Sequence, residues 1–181
     1  EAGGDIEKAV DEMRKSGLAK ADKKSGRIAA EGLVAVELSA DKKQAAVVEV
    51  NCETDFVSKN DSYVAMAHKM AEIALNTSSK EEFLAADFDG ITVADKLIEQ
   101  TGVIGEKIEI GGFEILEAPF VGSYIHGNKI GALTGISEAS SEASEVAKNV
   151  SMQVASMGAT TLSYKDFSPE FVASETEARI A

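Results

Sequence analysis

Tryptophan is absent from this chain, cysteine occurs once, and histidine and proline occur twice each. The single Cys52 forbids an internal disulfide and fits a reducing cytoplasm. Two histidines and one cysteine, far apart in sequence, supply none of the spacings of a zinc site. Basic residues are also in short supply. With 18 Lys and Arg against 31 Asp and Glu, the formal charge is −13. That balance argues against wrapping a nucleic-acid backbone, where clustered cations release counterions, and favours a protein partner. No apolar run approaches membrane-spanning length and no secretory leader is visible, so the chain is read as cytoplasmic. With aromatics at 6%, the core must be built mostly from Val, Ile, Leu, Ala and Met.

What is present is enough for one sizeable domain or two small ones: 181 residues, 44% of them hydrophobic. Asp5 is a good N-cap for an amphipathic helix over Ile6 to Ser16, with Ile6, Ala9, Val10 and Met13 on one face and Gly17 as its stop. The chain begins at Glu1 without an initiating Met, which reads as a trimmed piece of a longer protein. Arg14, Lys15, Lys20, Lys23, Lys24 and Arg27 form a basic stretch, either a solvated helical face or linker or a dock for an acidic surface, and residues 18–32 read as a connector of helical tendency. Leu33 to Leu38 and Ala45 to Asn51 are extended runs joined by a polar bend, a hairpin pattern, and a helix follows over Ser62 to Leu75. Weaker helical signals cover Glu81 to Ala86 and Val93 to Thr101. An apolar loop, Gly102 to Gly105, then leads to strand-like runs over Lys107 to Ile110 and Phe113 to Ala118.

Hairpin then helix recurs further on. Val121 to Ile125 and Lys129 to Ile136 flank His126-Gly127-Asn128, and Ser144 to Met157 forms an amphipathic helix with Val146, Val150, Val154 and Met157 aligned. The expectation is an α+β fold of two related subdomains, 33–118 and 119–181, each an antiparallel hairpin-based sheet packed on helices. Residues 1–17 form a helical element ahead of them. Ser168-Pro169 in the tail marks a further helix start.

Chemistry-bearing motifs are few. Cys52 shares a strand face with Val48 and Val50 and reads as a small buried hydrophobe; a hydrolase pairing it with His68 or His126 is the distant rival. His68 reads as packed or half-exposed in its helix, and His126 as solvent-facing at a hairpin tip. The glycine-rich stretches at 102–105 and 111–112 lack the spacing and the Lys-Ser/Thr of a phosphate loop. No cofactor is expected and no covalent chemistry. The informative stretch is Glu49 to Lys59, Glu-Val-Asn-Cys-Glu-Thr-Asp-Phe-Val-Ser-Lys, where a strand runs into a turn that offers Asp55 and Phe56 side by side. Phe56 is either a lid folded back on the following helix or an anchor for another protein's pocket. Asp55 is either a cap of the next turn or a direct contact.

That stretch resembles the signature of the elongation factor Ts family. Supporting similarity lies in Gly4 to Glu7 through Met13 to Gly17, in Ile104 to Ile108, and in Ser123 to Gly127 through Ile130-Gly131. The resemblance implies a translation factor that binds the GTPase elongation factor Tu and promotes GDP release by disturbing its magnesium and phosphate site. It implies partner contacts at Asp55 and Phe56, flanked by Thr54 and Val57, with Phe56 wedged between helices of the G domain. Ile104, Gly105 and His126 are second-rank contacts in the same picture. It further implies that Ile6 to Ser16 is the last helix of a three-helix N-terminal module. A helical hairpin and a C-terminal segment follow in many members, and homodimers are among the states open to the full-length protein. Without the missing ends, the alternative is a docking core that binds the GTPase and does not exchange its nucleotide.

Overall fold

The computed structural model describes residues 5–180, apart from the side chains of residues 6, 7, 9–11, 13 and 14. The predicted Ile6, Ala9, Val10 and Met13 face therefore lies outside the described residues. Helix α1 (Ile6–Lys24) starts where expected, with the Asp5 carboxylate accepting from Lys8 N at 3.1 Å. It does not stop at Gly17. The glycine is instead where a later helix, α5 (Val93–Ile104), crosses α1: a β-carbon on Gly102 would lie 3.4 Å from the Gly17 Cα, and one on Gly17 would lie 3.8 Å from Ile98 Cγ2. Small residues let the two backbones approach, and the first part of the predicted connector is helix as a result.

β1 (Glu31–Leu38) and β2 (Gln44–Cys52) form the first hairpin, with Leu33 opposite Val50 and Ala35 opposite Val48. β5 (Glu109–Glu117) pairs antiparallel with the other side of β2, giving the order β1-β2-β5. The two strand-like runs predicted around Gly111-Gly112 are one strand, and the register shifts opposite Glu49 and Val50 at the glycines. α2 (Asp55–Ser58) and α3 (Asp61–Ala74) follow β2. α3 lays Tyr63, Met66, Ala67, Met70, Ala71 and Ala74 on the face that carries Leu33, Ala35, Val48 and Val50. Those helical residues recur every three or four positions, the spacing of a single buried stripe. α4 (Lys80–Ala85) adds Phe83, stacked 5.2 Å from Phe113 of β5. A small hairpin unforeseen from the sequence, β3 (Asp87–Phe88) with β4 (Ile91–Thr92), turns the chain into α5. The predicted apolar loop is the last turn of α5, closed by Gly105 in the left-handed conformation at φ 84°.

The second hairpin, β6 (Phe120–His126) with β7 (Ile130–Ile136), is a separate two-stranded sheet. It lies against the other face of the first: a β-carbon on Gly131 would come 2.6 Å from Val34 Cγ1. Backbone bonds from Val121 N to Lys42 O at 2.7 Å and from Val34 N to Asn128 O at 2.8 Å tie the two sheets. α6 (Ala143–Met157) covers the hairpin and α7 (Pro169–Ile180) ends the described chain, starting at the predicted Ser168-Pro169. The architecture is thus a mixed α and β one with small antiparallel sheets, and the hairpin-then-helix order occurs twice.

One packing expectation fails in α6. The residues it buries are Ala143, Ala147 and Ser151, while of the aligned stripe Val146, Val150 and Met157 are exposed and Val154 is half-buried. The small face wins because β6 offers it glycine at position 122, which allows direct contact. Thr134 and Ser151 hydroxyls then hydrogen-bond at 2.8 Å across that contact.

Candidate functional site

β2 ends at Cys52 and turns through Glu53 and Thr54 into the four residues of α2. Thr54 is extended and begins the helix, and Asn60 caps the next one by accepting from Ser62 N at 2.9 Å. A single helical turn between two caps has one inward side. Ser58 is buried there and Val57 packs half-buried on the core, so Phe56 is turned outward and is 85% exposed. The lid reading of Phe56 is thereby overturned. Thr54 takes the N-cap position of α2 without a side-chain cap bond, and the Asp55 carboxylate pairs with Lys59 Nζ at 2.7 Å. The Lys59 ammonium holds Asp55 below the ordinary carboxylate range and is itself raised by the same bond.

The turn is braced from the loop between α5 and β5. Glu106 Oε2 accepts from both Glu53 N and Thr54 N at 3.0 Å, and its Oε1 accepts from Thr54 Oγ1 at 2.6 Å. Glu53 reciprocates: its Oε1 accepts from Lys107 N at 2.7 Å, and Arg27 reaches the same carboxylate at 3.3 Å. The Lys107 amide is the chief reason the Glu53 carboxyl lies below its ordinary range. Lys24 Nζ donates to Gly105 O, and Lys107 Nζ donates to Arg27 O at 3.2 Å, so the end of α1 joins the same network. Ile104 is half-buried against the core and Gly105 is exposed, whereas Val103 beside them is 71% exposed.

His126 sits exposed at the end of β6, its Nδ1 3.2 Å from Tyr124 Oη. Lys129, just beyond the tip, pairs with Glu31 at 2.6 Å, and Glu31 lies opposite Cys52 in the β1–β2 register. Thr54, Asp55, Phe56, Val57, Ile104, Gly105 and His126 are therefore gathered at one end of the three-stranded sheet. Sequence reasoning missed Glu106 and Val103. The only signal for Glu106 was a carboxylate following a glycine inside a motif, and its partners lie more than fifty residues away.

Cys52 is buried beneath the turn, its Sγ donating to Thr54 O at 3.2 Å, and burial pushes its thiol up. His68 and His126 are both exposed. A nucleophilic thiolate needs the opposite environment. Among the described residues no group of His, Cys, Asp and Glu could hold a metal ion, and no helix is long and apolar enough to cross a membrane.

The site is thus an exposed aromatic ring on a braced turn of a mixed α and β scaffold, with the thiol of Cys52 buried beneath it. Comparison with known proteins gives its family. Residues 53–181 match the family model for elongation factor TS, and the chain belongs to that family. It is 60% identical over 181 residues to elongation factor Ts of Flavobacterium johnsoniae, covering all of this chain and 57% of that protein. It is 56% identical over 163 residues to the same factor of Christiangramia forsetii, covering 90% and 60%. With that of Methylococcus capsulatus it shares 44% over 182 residues, covering 98% and 61%. The chain thus spans less than two thirds of the length of these relatives.

Proposed function

We propose that this chain docks on elongation factor Tu and promotes release of GDP without covalent chemistry, Phe56 acting as a wedge beside the GTPase's magnesium and phosphate site. The observation that carries the reading is the exposed Phe56 ring on a turn fixed from two sides. A Phe side chain gains about 1.5–3 kcal/mol on burial, and this one finds that burial only in another molecule. Magnesium demands near-octahedral oxygen ligation, so small shifts of the loops that carry its ligands weaken nucleotide binding. By reciprocity, nucleotide weakens binding of the factor equally.

One ring does not suffice. Moving a balance from 1:99 to 99:1 takes about 5.5 kcal/mol, so a broad interface is needed. Asp55, Thr54 and Val57 flank the wedge, and Ile104, Gly105 and His126 extend it across the same end of the sheet. In this reading residues 33–118 and 119–181 are two related subdomains, supported by the recurrence of hairpin and helix. The first helix is the last of an N-terminal module and runs on to Lys24 rather than ending at Gly17.

Stopped-flow release of fluorescent GDP from elongation factor Tu tests the proposal. Acceleration by this chain, lost in Phe56→Ala, supports the function and the wedge together. Binding without acceleration by either would leave a docking core only, and wild-type acceleration by the variant would remove Phe56 from the role.

A further inference from the structure

We infer that Glu106 is the positioning residue of the Phe56 wedge, an inference that rests on the docking reading above. Its carboxylate takes two consecutive backbone N–H groups, of Glu53 and Thr54, and the Thr54 hydroxyl. These donors lie immediately ahead of α2, at the point where the chain leaves β2 and sets the direction in which Phe56 points. α2 is four residues long and cannot fix its own orientation. The direction must come from outside it, and the Glu106 carboxylate reaches across from the loop that closes α5.

That loop is itself anchored. Gly105 closes α5 in the left-handed conformation with its N–H on Thr101 O, and buried Thr101 accepts from Ile108 N through Oγ1 at 3.1 Å. Lys24 holds the Gly105 carbonyl from α1. The brace therefore runs from a fixed point to the turn rather than between two loose loops. Glu106 is only part-buried, so water can replace its oxygens if it is removed. The fold is expected to survive such a change while the turn loses its single orientation. A wedge that must enter a pocket in one orientation then incurs the cost of ordering at the moment of docking.

The substitutions separate geometry from charge. Glutamine keeps the shape: its Oε1 can accept the two amides, and its Nε2 can donate to the Thr54 hydroxyl, which turns to accept. Alanine removes all three bonds.

The experiment measures GDP release from elongation factor Tu by stopped flow for wild type, Glu106→Ala, Glu106→Gln and Phe56→Ala. Alongside it runs ¹⁹F NMR of 4-fluorophenylalanine placed at position 56, together with thermal unfolding. The expected result is a loss on the order of tenfold in acceleration for Glu106→Ala and retention in Glu106→Gln. The fluorine resonance should broaden or split in Glu106→Ala at nearly unchanged melting temperature. Acceleration unchanged in Glu106→Ala overturns the inference, as does a fluorine spectrum unchanged despite lost acceleration. If the wild-type chain fails to accelerate release, the exchange reading falls, and the fluorine spectrum alone decides whether Glu106 sets the orientation of Phe56.

Discussion

Ala147 occupies the space that any side chain on Gly122 would need. A β-carbon at 122 would lie 2.4 Å from the Ala147 Cβ and within 3.4 Å of its backbone, far inside van der Waals contact. α6 therefore rests directly on β6. Gly122→Ala is expected to destabilise the chain by about 1–3 kcal/mol through overpacking, read as a shift of the urea midpoint. Ala147→Gly costs about 1 kcal/mol alone as a helix-interior glycine, yet should recover part of the loss when combined with Gly122→Ala. Independent, additive effects would show that the two residues do not meet.

The same contact settles which side of α6 faces water. Val146 and Val150 are 46% and 42% exposed. Val150→Glu in this chain is expected to change stability by less than about 0.5 kcal/mol. Ala147→Leu, next to Val146 in sequence but rotated about 100° from it around the helix, should cost as much as Gly122→Ala. Chemical denaturation of the two variants decides the orientation, since the reverse ranking would turn the helix over.

Phe56 separates stability from function. Its ring covers nothing in this chain, so Phe56→Ala should leave the urea midpoint within the change of about 0.5 kcal/mol typical of surface positions while removing acceleration of GDP release. A large loss of stability in the variant would mean that the ring packs on its own protein after all.

Much of this was legible beforehand, and the misses share a cause. Both hairpins could be read because alternation and polar bends are local, and the Asp55-Phe56 corner because a strand and a helix abut there. The outward turn of Phe56 was left open, since which side of a single helical turn faces the core is decided by Val57 and Ser58 packing on distant strands. Gly17 looked like a stop and is a crossing point, a fact that only Gly102 explains. The α6 stripe misled because periodicity marks apolar residues, whereas a glycine on the facing strand selects small ones. Glu106 was missed because a brace between segments leaves no periodic trace.

The Asp55–Lys59 pair makes a prediction about pH. Asp55 is depressed, so its contribution is complete above the ordinary Asp value of about 3.9 and is lost as pH falls through the depressed one. Lys59 is raised, so its side of the pair is complete below the ordinary Lys value of about 10.4 and is lost as pH rises through the raised one. The pair is therefore constant from about pH 5 to 9 by these reference values. Both groups are exposed, and the effect is on local order rather than on global stability. NMR titration of the Asp55 carboxyl should give a lower midpoint in wild type than in Lys59→Ala; equal midpoints would mean that the pair does not form in solution.

Cys52 reports on the turn from below. Its thiol is fully buried, donates to Thr54 O at 3.2 Å, and has its ionisation pushed up chiefly by burial. Only the thiolate attacks a thiol reagent, so two barriers act together: the turn must lift, and the sulfur must then lose its proton. In the native chain at neutral pH, labelling is expected to be slow and to follow opening of the structure, whereas in urea it should be fast. Because Glu106 holds the amide of the same Thr54, Glu106→Ala should speed native labelling while leaving the rate in urea unchanged. Fast labelling of the wild-type chain would mean that the turn opens freely, and a rate untouched by Glu106→Ala would mean that the carboxylate does not hold it down. The two results are distinguishable in one time course, with the urea rate as the internal reference for the intrinsic reactivity of the thiol.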